Sequence, residues 1–169
     1  AVNWMNIAAT GNVDLEMDLV QGLRGHRGRG VERKAALLAG SEDALVVNNN
    51  AAALWLSIRA CAGDGGKVIL SRGEIVAIGG SFRLHEILSE TGCDLVEIGT
   101  TNRTSIDDYR KALTPGAVVL KVHRSNFSLS GFTEEVSLSE LSGLCRENGN
   151  TLIYDAGSGL LHPVEDFGL

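Results

Sequence analysis

Residues 44–56 have the sequence ALVVNNNAAALWL, an apolar segment, three asparagines and then a second apolar segment. The aliphatic and β-branched residues of ALVV are typical of a buried strand, whereas AAALWL begins a pattern with helical spacing. Asparagine favours the N-cap of a helix, where its side chain accepts a hydrogen bond from a backbone N–H group. The stretch therefore predicts a strand that turns directly into a helix.

The alternation of strand and helix continues along the chain. Short apolar runs predict five strands, at residues 44–47, 67–70, 94–98, 117–122 and 151–155. Apolar residues at helical spacing predict helices at residues 31–40, 51–62, 81–92, 105–114 and 137–148. Ser105 with Asp108, and Ser137 with Glu140, have the spacing of a capping box at the last two helices. Repeated alternation of this kind predicts an α/β fold, with a mostly parallel sheet and helices on both faces.

The first 30 residues differ from the rest, because they are rich in Gly and Arg and show no long periodic element. We expect residues 1–30 to form a lead-in segment that lies across the domain or a neighbouring subunit. Residues 31–169 are then expected to form part of one large domain.

The composition is that of an ordinary soluble protein. The 169 residues are 44% apolar and 21% charged, and a net charge of −6 gives no general attraction to nucleic acid. No apolar run reaches the length of a membrane span, and the first residues lack the features of a signal peptide. Three unpaired cysteines and four scattered histidines predict a cytoplasmic protein with reduced thiols and no metal site.

Polar and Gly-rich segments follow the predicted strands. They are NNNAAA, SRGEIVAIGGSFR, GTTNRTS, HRSNFSLSGFT and DAGSG, whereas the loops before the strands, such as AGDGG and LTPG, are plain turns. In parallel α/β sheets, ligands bind beyond the carboxyl ends of the strands. The asymmetry therefore predicts an active site at the carboxyl end of the sheet.

Two of these segments suggest the two ends of one ligand. The backbone N–H groups around Asn49, Asn50 and Ala51 would form a phosphate site at a helix N-terminus, or this is simply a capped helix. Asp155, at the end of an apolar strand, would pair with a cationic ring nitrogen, or it is a turn residue. A phosphate site and a carboxylate at one sheet end suit pyridoxal 5'-phosphate.

Several arginines and one histidine are further candidates for binding or catalysis. Arginine-bearing segments containing Arg24, Arg27, Arg29, Arg83, Arg103 and Arg124 suggest an anionic substrate, although a solvated basic turn remains an alternative for Arg29. His123 would stack on a cofactor ring or transfer a proton, or it is simply hydrogen-bonded at a strand end. Lys121 is not expected to form a Schiff base.

Six blocks resemble one family in order along nearly the whole chain: ALVVNNNAAA, SRGEIVAIGGSFR, EIGTTNRT, KVHRSNF, GFTEEVSL and YDAGSG. They are similar to the bacterial selenocysteine synthases, the L-seryl-tRNA(Sec) selenium transferases. The resemblance implies a fold-type I large domain that binds pyridoxal 5'-phosphate. It also implies a phosphate-binding turn at Asn49, Asn50 and Ala51, and a ring-nitrogen partner at Asp155.

The same resemblance implies roles for other residues. His123 and Ser125 match a block close to the cofactor, and Arg24 and Arg27 match catalytic lead-in arginines near the substrate or a neighbouring subunit. The parent protein would be a cytoplasmic homo-oligomer that converts seryl-tRNA(Sec) to selenocysteinyl-tRNA(Sec) with selenophosphate. The family's cofactor lysine is expected beyond residue 169 and its tRNA-gripping domain before residue 1, so this fragment alone is expected to be inactive.

One departure keeps other functions open. His26 and Gly28 differ from the family's usual lead-in, which commonly has a small residue and then an aromatic one. An alternative is therefore a related pyridoxal-phosphate lyase that acts on a small phosphorylated amino sugar or amino acid. A second alternative is a non-catalytic phosphate-binding α/β fragment.

Overall fold

A computed structural model describes residues 2–14, 16–79 and 82–159 of the chain. Its contacts divide the chain into a first unit, Ala1–Val46, and a second unit, Val47–Leu169. The first residue of the predicted helix 81–92 and the last ten residues of the predicted large domain lie outside the described ranges. The division into a lead-in of residues 1–30 and a cofactor-binding domain of residues 31–169 stays a prediction.

The first unit contains two helices and a short hairpin. Its elements are α1 (Val2–Thr10), β1 (Met17–Asp18), β2 (Leu23–Arg24) and α2 (Arg29–Ala39), with β1 and β2 antiparallel. Helix α2 confirms the helix predicted at residues 31–40. Helix α1 forms within the segment whose sequence shows no long periodic pattern, and it buries none of its residues.

The second unit is built on parallel strands joined by helices. Its main elements are α3 (Asn50–Ala62), β3 (Lys67–Ser71), α4 (Leu84–Glu90), β6 (Asp94–Ile98), α5 (Ile106–Ala112), β7 (Val118–Val122), α6 (Leu138–Asn148) and β8 (Thr151–Asp155). Between β3 and α4 lie a 3₁₀ turn, η1 (Arg72–Glu74), and the antiparallel pair β4 (Ala77–Ile78) and β5 (Phe82–Arg83). The sheet order is β6-β3-β7-β8, and all its strand pairs are parallel.

Side chains alternate between the two faces of the sheet, and each face packs against helices. Val68 and Leu70 of β3 lie in one buried cluster with residues of α3 and α4. Ile69, between them, lies in a second cluster with residues of α5 and α6. Burial on both faces explains why these strands are almost continuously apolar. The predicted parallel sheet with helices on both faces is confirmed.

The first predicted strand is the main error in the fold. Residues 44–47 form no strand, and Leu45 and Val46 are exposed, so the described sheet has four strands rather than five. A β-branched run becomes a strand only where a neighbouring strand supplies hydrogen bonds, and none in the described chain pairs with this segment. Helix α4 also begins later than predicted, because Phe82 and Arg83 pair with β4.

Candidate active site

The N-terminus of α3 lies where the three asparagines end. Asn49 has an extended backbone, and its side chain accepts a 2.8 Å hydrogen bond from the N–H group of Ala52. This side chain is therefore a helix cap. The backbone N–H groups of Asn50 and Ala51 have no hydrogen-bond partner in the described part of the chain. They remain available to an anion at the positive end of the helix dipole.

Asp155 lies at the carboxyl end of β8 and meets the asparagine turn directly. The Asn50 Nδ2 atom donates a 2.9 Å hydrogen bond to Asp155 Oδ1. The Gly157 N–H group donates a 3.0 Å bond to the same oxygen, in a turn where Gly157 has a φ of 56° that favours glycine. Asp155 Oδ2 has no partner among the described residues. The two groups predicted at opposite ends of one ligand thus lie at one end of the sheet.

A cavity of about 190 Å³ lies between α3 and the end of β8. Its lining includes Asn50, Leu54, Ser57, Ile153, Asp155 and Gly157. Pockets that enclose a small ligand usually measure about 300–1,000 Å³. This cavity is therefore smaller than the pockets that usually enclose a small ligand.

His123 and Ser125 lie next to this cavity but not in its lining. The His123 backbone N–H group donates a 2.9 Å bond to the Asp155 carbonyl, which continues the β7–β8 ladder. The exposed His123 residue lines a separate cavity of about 360 Å³, together with Tyr154 and Phe127. Ser125 lies close to Gly157, since a Cβ atom on that glycine would be 3.2 Å from Ser125 Oγ. The structure thus brings Asn50 and Asp155 together, whereas His123 lines a different cavity.

The arginines predicted to attract an anion already have carboxylate partners. Arg24 and Arg27 both pair with Glu16 in the first unit, and the distance from Arg24 to Glu16 is 2.5 Å. In the second unit, Arg103 pairs with Glu134 at 2.7 Å, and Arg124 pairs with Glu135. The remaining two pairs are Arg29 with Asp18 and Arg83 with Glu86. The density of arginine therefore does not by itself indicate an anionic substrate.

A buried ion pair that the sequence did not indicate lies between β3 and β7. The Lys121 Nζ atom is 2.5 Å from Glu74 Oε1, with only 11% and 3% of the two side chains exposed. Pairing of β3 with β7 ends at Leu70, but β7 continues to Val122. Glu74 Oε2 accepts a 3.0 Å bond from the Val122 N–H group that β3 leaves unpaired. The carboxylate thus closes the crevice at the point where the strand order reverses.

The turn that carries Glu74 is fixed by close packing. Ser71 Oγ caps η1 and is 2.7 Å from Thr104 Oγ1, and both residues are buried. A Cβ atom on Gly73 would be 2.7 Å from the Thr101 carbonyl oxygen, so only glycine fits there without a shift. The only sequence signal for the ion pair was a lysine in an otherwise apolar strand, and a pattern of that kind does not name its partner.

Other kinds of site receive no support within the described ranges. No group of three or more His, Cys, Asp or Glu side chains there is arranged to hold a metal ion. Cys145 is buried, and burial raises the pKa of its thiol, so it is a poor nucleophile. No described helix is both long and apolar enough to cross a bilayer.

The fold is that of the fold-type I α/β enzymes. Solved structures with this fold include D-glucosaminate-6-phosphate ammonia-lyase, with a TM-score of 0.70 and 18% identity over 91% of this chain and 42% of that one. They also include an aspartate aminotransferase from Thermotoga maritima, with a TM-score of 0.58 and 15% identity over 92% of this chain and 40% of that one. At these identities the likeness shows the fold alone.

The sequence model of the L-seryl-tRNA selenium transferase family (SelA) matches residues 1–169, and the chain belongs to that family. The L-seryl-tRNA(Sec) selenium transferase of Geobacter sulfurreducens is 49% identical over 95% of this chain and 35% of its own length. The Aquifex aeolicus transferase is 44% identical over 99% of this chain and 37% of its own length. The chain thus spans about a third of the length of these relatives.

Proposed function

We propose that the full-length protein converts seryl-tRNA(Sec) to selenocysteinyl-tRNA(Sec) with selenophosphate and pyridoxal 5'-phosphate. The observation that carries this proposal is the family match over residues 1–169, with 44–49% identity to relatives named for this transfer. The ammonia-lyase fold neighbour is only 18% identical. The comparison therefore favours the transferase over a lyase that acts on a small phosphorylated amino sugar.

The residues at the carboxyl end of the sheet fit the proposed cofactor. The unpartnered N–H groups of Asn50 and Ala51 suit its phosphate, and Asn49 keeps the first turn of α3 in place. Asp155 offers Oδ2 to a cationic ring nitrogen, because Oδ1 already accepts two hydrogen bonds from neutral donors. When bound, the cofactor supplies an electron sink for the Cα atom of the seryl group.

In this proposal the chain binds and orients, and it controls one proton. The helix amides hold the phosphate at one end of the cofactor. The Asp155 carboxylate holds a proton on the ring nitrogen at the other end, which keeps the ring electron-poor. His123 and Ser125 stay proposed cofactor contacts. Ser125 lies beside Gly157 of the Asp155 turn, whereas His123 lines a separate cavity and would have to turn toward the cofactor.

The remaining assignments concern the substrate and the assembly. Arg24 and Arg27 stay proposed catalytic residues, and they would have to exchange the Glu16 carboxylate for an anionic substrate group. Exposed ion pairs contribute little to stability, so such an exchange costs little. We also propose a cytoplasmic homo-oligomer.

The test is a reconstitution with the full-length protein, seryl-tRNA(Sec), selenophosphate and pyridoxal 5'-phosphate. We expect selenocysteinyl-tRNA(Sec) as the product, and an Asp155→Ala variant that forms it at least on the order of 10²-fold more slowly. Asn150→Ala is the matched control, because Asn150 lies at the other end of β8, where it bonds to the carbonyls of Thr114 and Ala117. Release of ammonia from a phosphorylated amino sugar, with no selenium transfer, would establish the lyase instead.

A further inference from the structure

We propose that Asn50 is a positioning residue, whose side chain orients the Asp155 carboxylate toward the ring nitrogen of the cofactor. This inference rests on the proposed function and goes beyond it, because the phosphate site uses the backbone of Asn50 and not its side chain. The side chain itself contacts Asp155 at 2.9 Å.

Both hydrogen bonds to Asp155 end on the same carboxylate oxygen. Asn50 Nδ2 and the Gly157 N–H group both donate to Oδ1, at 2.9 and 3.0 Å. A carboxylate held through one oxygen presents the other in a fixed direction, and Oδ2 has no partner in the described chain. Two donors on one oxygen thus define the direction from which a cation can approach.

The two bonds differ in what they connect. Gly157 is two residues from Asp155, so its bond belongs to a local turn. Asn50 is 105 residues away, and its bond joins the start of α3 to the end of β8. These two elements carry the proposed phosphate site and the ring-nitrogen partner. The Asn50 side chain therefore sets the spacing between the two groups that would hold the two ends of the cofactor.

The chemistry of an amide suits this position. A neutral donor holds the carboxylate without cancelling its charge, whereas a lysine or arginine would compete with the ring nitrogen. All described ion pairs involve acids other than Asp155. Its negative charge is thus left for a ligand. An acid at position 50 would instead make the two carboxylates share a proton.

The experiment compares Asn50→Ala, Asn50→Asp and Asp155→Ala in the full-length protein, with Asn150→Ala as the matched control. The readouts are the dissociation constant for pyridoxal 5'-phosphate, the position of the visible absorption band of the bound cofactor, and the midpoint of thermal unfolding without cofactor. We expect Asn50→Ala to weaken cofactor binding about tenfold, as loss of one hydrogen bond to a charged group does. We expect Asn50→Asp to weaken it further and to shift the band in the same direction as Asp155→Ala.

The comparison between the two Asn50 variants separates positioning from packing. If Asn50 only fills space, the nearly isosteric aspartate restores binding relative to alanine, and that result overturns the inference. The same is true if Asp155→Ala alters binding and the absorption band while both Asn50 variants leave them unchanged. If Asp155→Ala itself leaves cofactor binding and the absorption band unchanged, the proposed role of Asp155 is wrong, whatever the Asn50 variants do. That result is distinct from a failure of the Asn50 inference alone.

Discussion

Two regions at the carboxyl end of the sheet each contain an ion pair, and the pairs differ in burial. In the crevice between β3 and β7, Glu74 and Lys121 expose only 3% and 11% of their side chains. On the outer loops, Arg103 and Glu134 expose 63% and 45%. Glu74 lies in the segment that follows β3, and Arg103 lies in the segment that follows β6. Each pairs with another part of the second unit.

This difference in burial indicates which charged side chains the fold depends on. In the crevice, Glu74 also accepts the hydrogen bond from the Val122 N–H group. Its side chain thus accepts a bond that a neighbouring strand would otherwise accept. On the outer loops, the backbone already makes the connection, since the Glu134 carbonyl accepts a 3.0 Å bond from the Thr104 N–H group. We therefore expect the first pair to be structural and the second to be nearly dispensable.

The largest expected effect comes from removing Lys121. In Lys121→Met, the Glu74 carboxylate stays buried without its cation, and removal of one partner of a buried pair costs about 3–5 kcal/mol of unfolding free energy. Urea unfolding of the variant and the wild type measures this loss.

The matched control is the double variant Glu74→Gln with Lys121→Met. It removes both charges and keeps an oxygen that can accept the bond from the Val122 N–H group. We expect it to recover most of the stability that the single variant loses. A double variant as unstable as Lys121→Met would show that packing, and not the unpaired charge, causes the loss.

A contrast between β8 and residues 44–47 explains how much of the fold was predictable from the sequence. Strand β8 has the predicted bounds, Thr151–Asp155, because its apolar run lies between the C-cap Gly149 and an Asp-Ala-Gly turn. Residues 44–47 have an equally suitable composition but no strand partner in the described chain. Local patterns predict what a segment favours, whereas a strand also requires a neighbour that they do not specify.

The contacts of the candidate site likewise divide into those that the sequence predicted and those that it did not. The sequence predicted that Asn50 and Asp155 meet because each was expected to follow a parallel strand. They do meet, but only Asp155 follows a strand of the described sheet, and Asn50 reaches it from the start of α3. The Glu74–Lys121 contact spans 47 residues, and it depends on where β3 leaves the sheet. The arginines were visible in the sequence, but their carboxylate partners were not.

A carboxylate held by neutral donors gives an intermediate case between the two ion pairs. Asp108 Oδ2 accepts 2.8 Å bonds from the Ser105 N–H group and the Ser105 hydroxyl at the start of α5. These bonds lower the pKa of Asp108 below its ordinary value of 3.8. The resulting stability is present above pH 3.8 and is lost as the pH falls below it toward the lower pKa of the folded state.

We therefore expect Asp108→Asn to cost about 0.3–1 kcal/mol at neutral pH, because the amide oxygen can still accept the bonds from Ser105 but lacks the charge that favours a helix N-terminus. The difference between variant and wild type should shrink as the pH is lowered below 3.8. Unfolding in urea at pH 7 and at about pH 3 measures both values, and taking the difference at each pH removes the titration of other groups. A difference that stays constant between the two pH values would mean that the bonds to Ser105 do not depend on the charge of Asp108.

The smallest effect is expected at the exposed pair. Arg103→Ala should cost about 0.2–1 kcal/mol, because water screens the charges and the backbone bonds between the loops remain. A double-mutant cycle with Glu134→Gln measures the coupling of the two side chains, and the same cycle at Glu74 and Lys121 measures the buried pair. A coupling energy at Arg103 equal to that in the crevice would contradict the comparison. It would mean that geometry, and not burial, decides the strength of an ion pair at this end of the sheet.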